Sequence, residues 1–287
     1  MITPNAEIRA LEPFRAKQGT VYAAASRAAA SHEARRALRL SAIAADASAM
    51  TEVSLSLLWC ALKGGTSSVV DGFFSEDRCY VVLSPKADES GTPGPHGGRL
   101  EILEAVLSGV RQKNLAIDLA IAPSTVAMNC RLALASLGVN GIPSRAHPLL
   151  MMAARAQNDP GVALGKCATF IGRDARELRV IGAPRPDGCL SALLPSAELA
   201  VIRSVVEGLS HQEIALRRGT STRTIANQIN SVFRRLRVSS RNELVQRLLV
   251  DYASDALGSG PVSETLMPSD AAPLKPVAGT DEARRSA

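Results

Sequence analysis

Between Ser221 and Arg235 the chain carries side chains of one chemical kind, in the run STRTIANQINSVFRR. Arg223, Asn227, Gln228, Asn230, Ser231, Arg234 and Arg235 all offer hydrogen-bond donors, and no Asp or Glu stands among them. An amide presents a donor and an acceptor together, which matches the paired groups on a base edge, above all adenine. A guanidinium matches phosphate or guanine. A solvated face of a structural helix usually mixes in Glu, so the absence of acid favours an anionic partner. The same run, carried one residue further, holds Ile225, Ile229, Val232, Phe233 and Leu236 at i, i+4, i+7, i+8 and i+11, the stripe of a helix buried on one side. A helix pinned to a small core by one face, with amides and guanidiniums on the other, suits the major groove of duplex DNA.

Other chemistries find little support. There is no Gly-rich phosphate loop. Asp71, Glu76 and Asp77 sit around a hairpin turn, where surface acids are common. His211 lies beside a helix start and reads as a surface residue, so no catalytic residue is expected and the chain is not read as an enzyme. Cys60, Cys79, Cys130, Cys167 and Cys189 contain no CxxC pair, and the four His are scattered. That spacing builds neither a zinc site nor a disulfide framework, so no metal or cofactor is expected. The odd cysteine count points to a reducing cytoplasm. No apolar run reaches the roughly 18 residues needed to span a bilayer, so no membrane partner is expected. Aromatic residues make up 3% of the chain, too few for the stacking platforms of single-strand or RNA readers.

Three further helices are expected around the reactive run. The first spans about Ser196 to Glu207, with Leu199, Ile202, Val205 and Val206 on one face, and ends at Gly208. Ser210 caps the second, with Glu213 three residues on completing a capping box, and Gly219 ends it. Ser221 or Thr222 starts the third, and a fourth runs from about Asn242 to Leu249. Pro195 to Val250 holds nine Arg against four Glu, a net of +5, where the whole chain is +6. The excess positive charge is thus concentrated in one segment, as phosphate neutralisation requires.

Leu194, Glu198, Gly208, Ser210, Glu213-Ile214-Ala215, Gly219, Ser221, Thr224-Ile225, Leu236, Val238 and Arg241 through Leu244 resemble the LuxR-type (GerE-like) helix-turn-helix pattern. The resemblance covers one fifth of the chain. It implies a transcriptional regulator whose third helix enters the major groove and whose fourth often mediates dimerisation. Carried over by position, Ala226, Asn227 and Asn230 would face bases, and Ser221, Arg223, Thr224 and Arg234 the backbone. Gln228, Ser231 and Arg235 complete the DNA-binding set. The pattern departs at Ala226, where the family usually has Lys, and at Gln228, often His.

The chain also repeats itself. Residues 99–139 lie on 198–238 without a gap, with eight of 41 positions identical, among them Gly109/Gly208, Thr125/Thr224 and Leu137/Leu236. A β-hairpin is expected ahead of each stretch, turning at Ser75-Glu76-Asp77 and at Asp174. The earlier stretch is chemically weaker. Met128 and Arg131 stand where the later one has Asn227 and Asn230, and Ala135 and Ser136 where it has Arg234 and Arg235.

The expected fold is mainly α with small β-hairpins, as two tandem hairpin-plus-helix-turn-helix units. The expected segments are a helical arm (1–50), a degenerate unit (51–152), a hairpin and linker (153–192), the DNA-binding unit (193–253) and a disordered tail (254–287). The expected partners are double-stranded DNA, RNA polymerase, and either a second copy or an intrachain pseudo-dimer. The alternative is a protein-interaction module with weakened DNA binding, acting on another regulator or on RNA polymerase.

Overall fold

The structure is a computed structural model, and it describes residues 31–86, 97–158 and 164–256. The start of the arm, most of the loop expected at Ala87 to Gly98, and the tail from Leu257 lie outside the described residues.

Helix α1 (residues 31–47) precedes strand β1 (Thr51–Ser54), helix α2 (Leu55–Lys63) and the hairpin β2 (Ser67–Phe74) and β3 (Arg78–Pro85). Three helices follow: α3 (Gly97–Leu107), α4 (Gln112–Asp118) and α5 (Pro123–Ser136). Then come α6 (Pro148–Arg155) and the hairpin β4 (Leu164–Ile171) and β5 (Glu177–Pro184). The chain closes with α7 (Ser196–Val206), α8 (His211–Arg218), α9 (Thr222–Arg235) and α10 (Arg241–Ala256).

Both hairpins form where the turn residues place them, but they do not stay apart. β3 pairs with β5 and β1 pairs with β4, giving one five-stranded antiparallel sheet in the order β1-β4-β5-β3-β2. The expectation of small separate hairpins is corrected here. The reason lies in β3. Its run Cys79-Tyr80-Val81-Val82-Leu83 is buried throughout, so both faces need cover and both edges need a partner. Successive side chains point to opposite faces. Cys79, Val81 and Leu83 join the main core with Ile181 and Ala183, whereas Tyr80 and Val82 join a second core with Val180, Phe73 and Ala42 of α1.

Helix α1 is fastened over that second core by two ion pairs. Arg39 grips Asp71 at 2.7 Å, and buried Asp46 meets Arg78 at 2.9 Å. Asp46 can approach only because Gly182 has no side chain: a Cβ there would lie 2.5 Å from its Oδ1. The main core is continuous from Leu55 through Trp59, Leu103, Leu134, Leu149 and Ile202 to Leu249.

The trio α3–α5 and the trio α7–α9 keep one offset of 99 residues at nearly every boundary. Positive φ angles recur at the same offset: Gly109 (109°) and Gly208 (89°), Ala120 (52°) and Gly219 (62°), Gly138 (85°) and Arg237 (53°). Helix α6 falls on the second half of α10, with Leu149 and Leu150 opposite Leu248 and Leu249, all buried. Among the described residues no single helix is long and apolar enough to cross a membrane. Only α4 and α5 taken together pass on length and composition, and they are bent by 108°.

Candidate nucleic-acid interface

The C-terminal trio is built by caps that the sequence announces. Ser210 Oγ accepts from the backbone N–H of Glu213 (3.2 Å), and the Glu213 carboxylate accepts from the backbone N–H of Ser210 (2.6 Å). The two hydrogen bonds from Ser210, side chain first, hold the Glu213 carboxyl below its usual range. Gly219 ends α8 in the left-handed conformation. Ser221 Oγ accepts from the backbone N–H of Thr224 (3.0 Å) and lies 2.8 Å from its hydroxyl, so α9 starts on a closed cap.

On α9, Ile225, Ile229 and Val232 are buried, and Leu236 continues their stripe just past its end. Arg223, Asn227, Asn230 and Arg234 form the opposite stripe at i, i+4, i+7 and i+11, all exposed. Ser221 and Thr224 are exposed at the N-terminal end, where the helix dipole favours a phosphate. The remaining expected residues lie off this centre line. Ala226, Gln228 and Ser231 are half-buried, and the Gln228 Oε1 is covered without a partner. Arg235 is exposed but turned toward α7, where it meets Glu198 at 2.8 Å.

Two arginines outside the expected set hold the trio in place. Arg241 has no acidic partner among the described residues; it donates to the carbonyls of Val205 (2.7 Å) and Val206 (2.9 Å) at the end of α7. It also donates to the carbonyls of Ala146 (3.1 Å) and Ser144, between α5 and α6. Burial, with the charge of Arg145, lowers its pKa to about 10, which leaves it cationic at neutral pH. Arg185 is buried on Asp187 through two 2.9 Å hydrogen bonds, reaches Glu207 at the end of α7 (3.2 Å), and donates to Ser75 O in the first hairpin turn (3.1 Å). Arg241 falls within the family-like motif, but nothing in the motif shows that it reaches the other half of the chain. Arg185 sits in a Pro-rich loop that sequence reasoning passed over.

The family model for bacterial regulatory proteins of the luxR family (GerE) matches residues 192–248. This segment is a LuxR-family helix-turn-helix domain. It marks the chain as a DNA-binding transcriptional regulator. The LuxR-type domain thus spans α7, α8, α9 and the first half of α10, and its third helix is the one bearing the acid-free stripe. No curated protein and no solved structure matches the chain.

Proposed function

We propose that the chain reads a specific double-stranded DNA sequence with α9 in the major groove, Asn227 and Asn230 facing bases and Ser221, Arg223, Thr224 and Arg234 the phosphates. The observation that carries this is the exposed Arg223–Asn227–Asn230–Arg234 stripe lying opposite the buried one within the LuxR-type domain. Each well-placed amide–base pair discriminates by about 1–3 kcal/mol. Selection-sequencing of genomic fragments bound by the whole chain tests it. The wild type is expected to enrich one motif, and the Asn227→Ala/Asn230→Ala variant to lose it. Equal enrichment by both would sink the assignment.

The α3–α5 trio is, in this reading, a degenerate second unit that forms a pseudo-dimer with the first inside one chain. The shared offset and the recurring positive φ angles support duplication. Reciprocal docking supports the pairing. Gln246 of α10 donates to Leu107 O at the end of α3 (2.6 Å), and a Cβ on Gly109 would lie 3.2 Å from Gln246. In the other direction a Cβ on Gly208 would lie 3.1 Å from Arg145 O. The buried face of α10, Leu244, Val245, Leu248 and Leu249, is covered within the chain, which leaves that face no role between copies.

A second reading has its own observation. Met128 and Leu132 on α5, and Ile117 and Leu119 beside them, are exposed apolar residues in the region that corresponds to the polar one of the C-terminal trio. Such a patch fits a protein, RNA polymerase or another regulator, better than a phosphate backbone. Salt dependence separates the readings: a DNA reader loses affinity steeply with salt yet keeps its site preference.

A further inference from the structure

A cleft of about 550 Å³ opens where α1, β2 and the segment between α5 and α6 meet, closed at one end by the α7–α8 corner. That volume is in the range of small-molecule sites. Its walls carry Arg35 and Arg39 from α1, Arg145 ahead of α6 and Arg217 from α8, against Asp71 and Glu207. Four guanidiniums face two carboxylates, and both carboxylates are already taken. Arg39 donates to both oxygens of Asp71 (2.7 and 3.1 Å), and Arg217 donates to Glu207 (3.0 Å). Arg35 has no hydrogen-bond or ion-pair partner among the described residues. Among those residues the Arg145 guanidinium reaches only Glu213, at 3.9 Å.

His147 lines the same cleft without adding charge. Its Nδ1 accepts from the Leu149 N–H (3.3 Å), so Nε2 carries the proton and donates to Phe73 O (3.2 Å). Val69, Val81, Leu150 and Leu209 supply apolar floor. One unpaired guanidinium and one held only by a long ion pair, on different walls over a partly apolar floor, match two separated negative charges on a small carbon framework.

We propose that this cleft binds a small organic dianion, a dicarboxylate or a phosphate monoester, held between Arg35 and Arg145. Binding is coupled to the LuxR-type domain through Arg145. Its segment supplies two of the carbonyls that hold Arg241, its own carbonyl packs on Gly208, and its guanidinium faces the capping-box Glu213. An anion that takes Arg145 away from Glu213 therefore acts on the start of α8 and the end of α7 together.

Calorimetry on the whole chain without DNA tests this, using succinate and phenyl phosphate as probes and sulfate as the inorganic control. This readout is independent of the DNA-reading proposal, so either can fail alone. One of the two probes should bind saturably at one site, more tightly than sulfate. Arg35→Ala/Arg145→Ala should weaken it about tenfold or more, Arg145→Lys should fall between, and Arg131→Ala on α5 should match the wild type. No saturable binding of either probe up to about 10 mM overturns the proposal, as does equal binding by the double variant. So does a third result, in which neither probe binds but the double variant lowers the salt slope of DNA binding by about 2, since the two arginines would then be DNA backbone contacts.

Discussion

The two helical trios share one backbone plan and differ in almost everything that plan presents to solvent. Ser210 and Ser221 cap α8 and α9 with their side chains, whereas Arg111 and Ala122 stand at the matching positions of α4 and α5 and make no side-chain cap. Asn227 is answered by Met128, which is 51% exposed, a large apolar residue where an amide would read a base. Arg241, with its four carbonyls, is answered by Ile142, 43% exposed. What both trios keep is the inward pattern: Val126, Cys130 and Ala133 are buried on α5 as Ile225, Ile229 and Val232 are on α9. What the two trios share is the apolar stripe, and caps and surface chemistry can be lost from one trio without losing its helical plan.

Each prediction tests that contrast. The largest effect is expected from Arg241→Met, which strips up to four carbonyls, three of them partly buried, of their donor. Stability should fall by on the order of 3 kcal/mol, read as a shift in the urea midpoint, while Ile142→Ala costs well under about 1 kcal/mol. Comparable losses from both would mean that the trios are held alike. Next comes DNA reading. Asn227→Ala/Asn230→Ala should cost about 100-fold in affinity for the selected site, measured by fluorescence anisotropy, and Met128→Ala should leave it unchanged. If Met128→Ala weakened binding as much, α5 would be a second reading helix.

Between the trios lies His147, whose pKa burial lowers from 6.5 to about 4, with a hydrogen bond to Phe73 opposing the shift. The folded ring is neutral where an unfolded one takes up a proton. Its contribution to stability is thus full above pH 6.5 and is lost as pH falls toward 4, by at most about 1.4 kcal/mol per unit. Thermal melts of the wild type and His147→Gln across that window should converge as pH falls, and parallel curves would show that the ring titrates normally. The smallest effect is at the caps. Ser221→Ala should destabilise by about 1 kcal/mol, and Ala122→Ser, which supplies the missing cap, should stabilise by roughly 0.5 kcal/mol, both from denaturant midpoints. A Ser at residue 122 that brings no gain would mean that the α5 start is already satisfied by other means.

Local chemistry was legible in the sequence and distant pairing was not. The capping box at Ser210 and Glu213, the αL stop at Gly219, both hairpin turns and the α9 stripes all follow from residues a few positions apart. The union of β3 with β5 joins Tyr80 to Gly182 across the whole α3–α6 region, and no local period encodes it. The run Cys79 to Leu83 carried a hint, since an unbroken apolar strand cannot lie on a small hairpin with one wet face. Within the site, spacing located the Arg223–Asn227–Asn230–Arg234 stripe, but Arg235 and Gln228 fit the sequence pattern equally well. Only the position of Glu198 on α7 turns Arg235 aside.

The shared sheet also bears on how the protein is made. β3 leaves the ribosome about a hundred residues before β5, so for that interval its apolar run from Cys79 to Leu83 waits with one edge bare. Strands left open in this way recruit other chains. A gene fragment ending after α6 would make that interval permanent, and its product is expected in inclusion bodies rather than in solution.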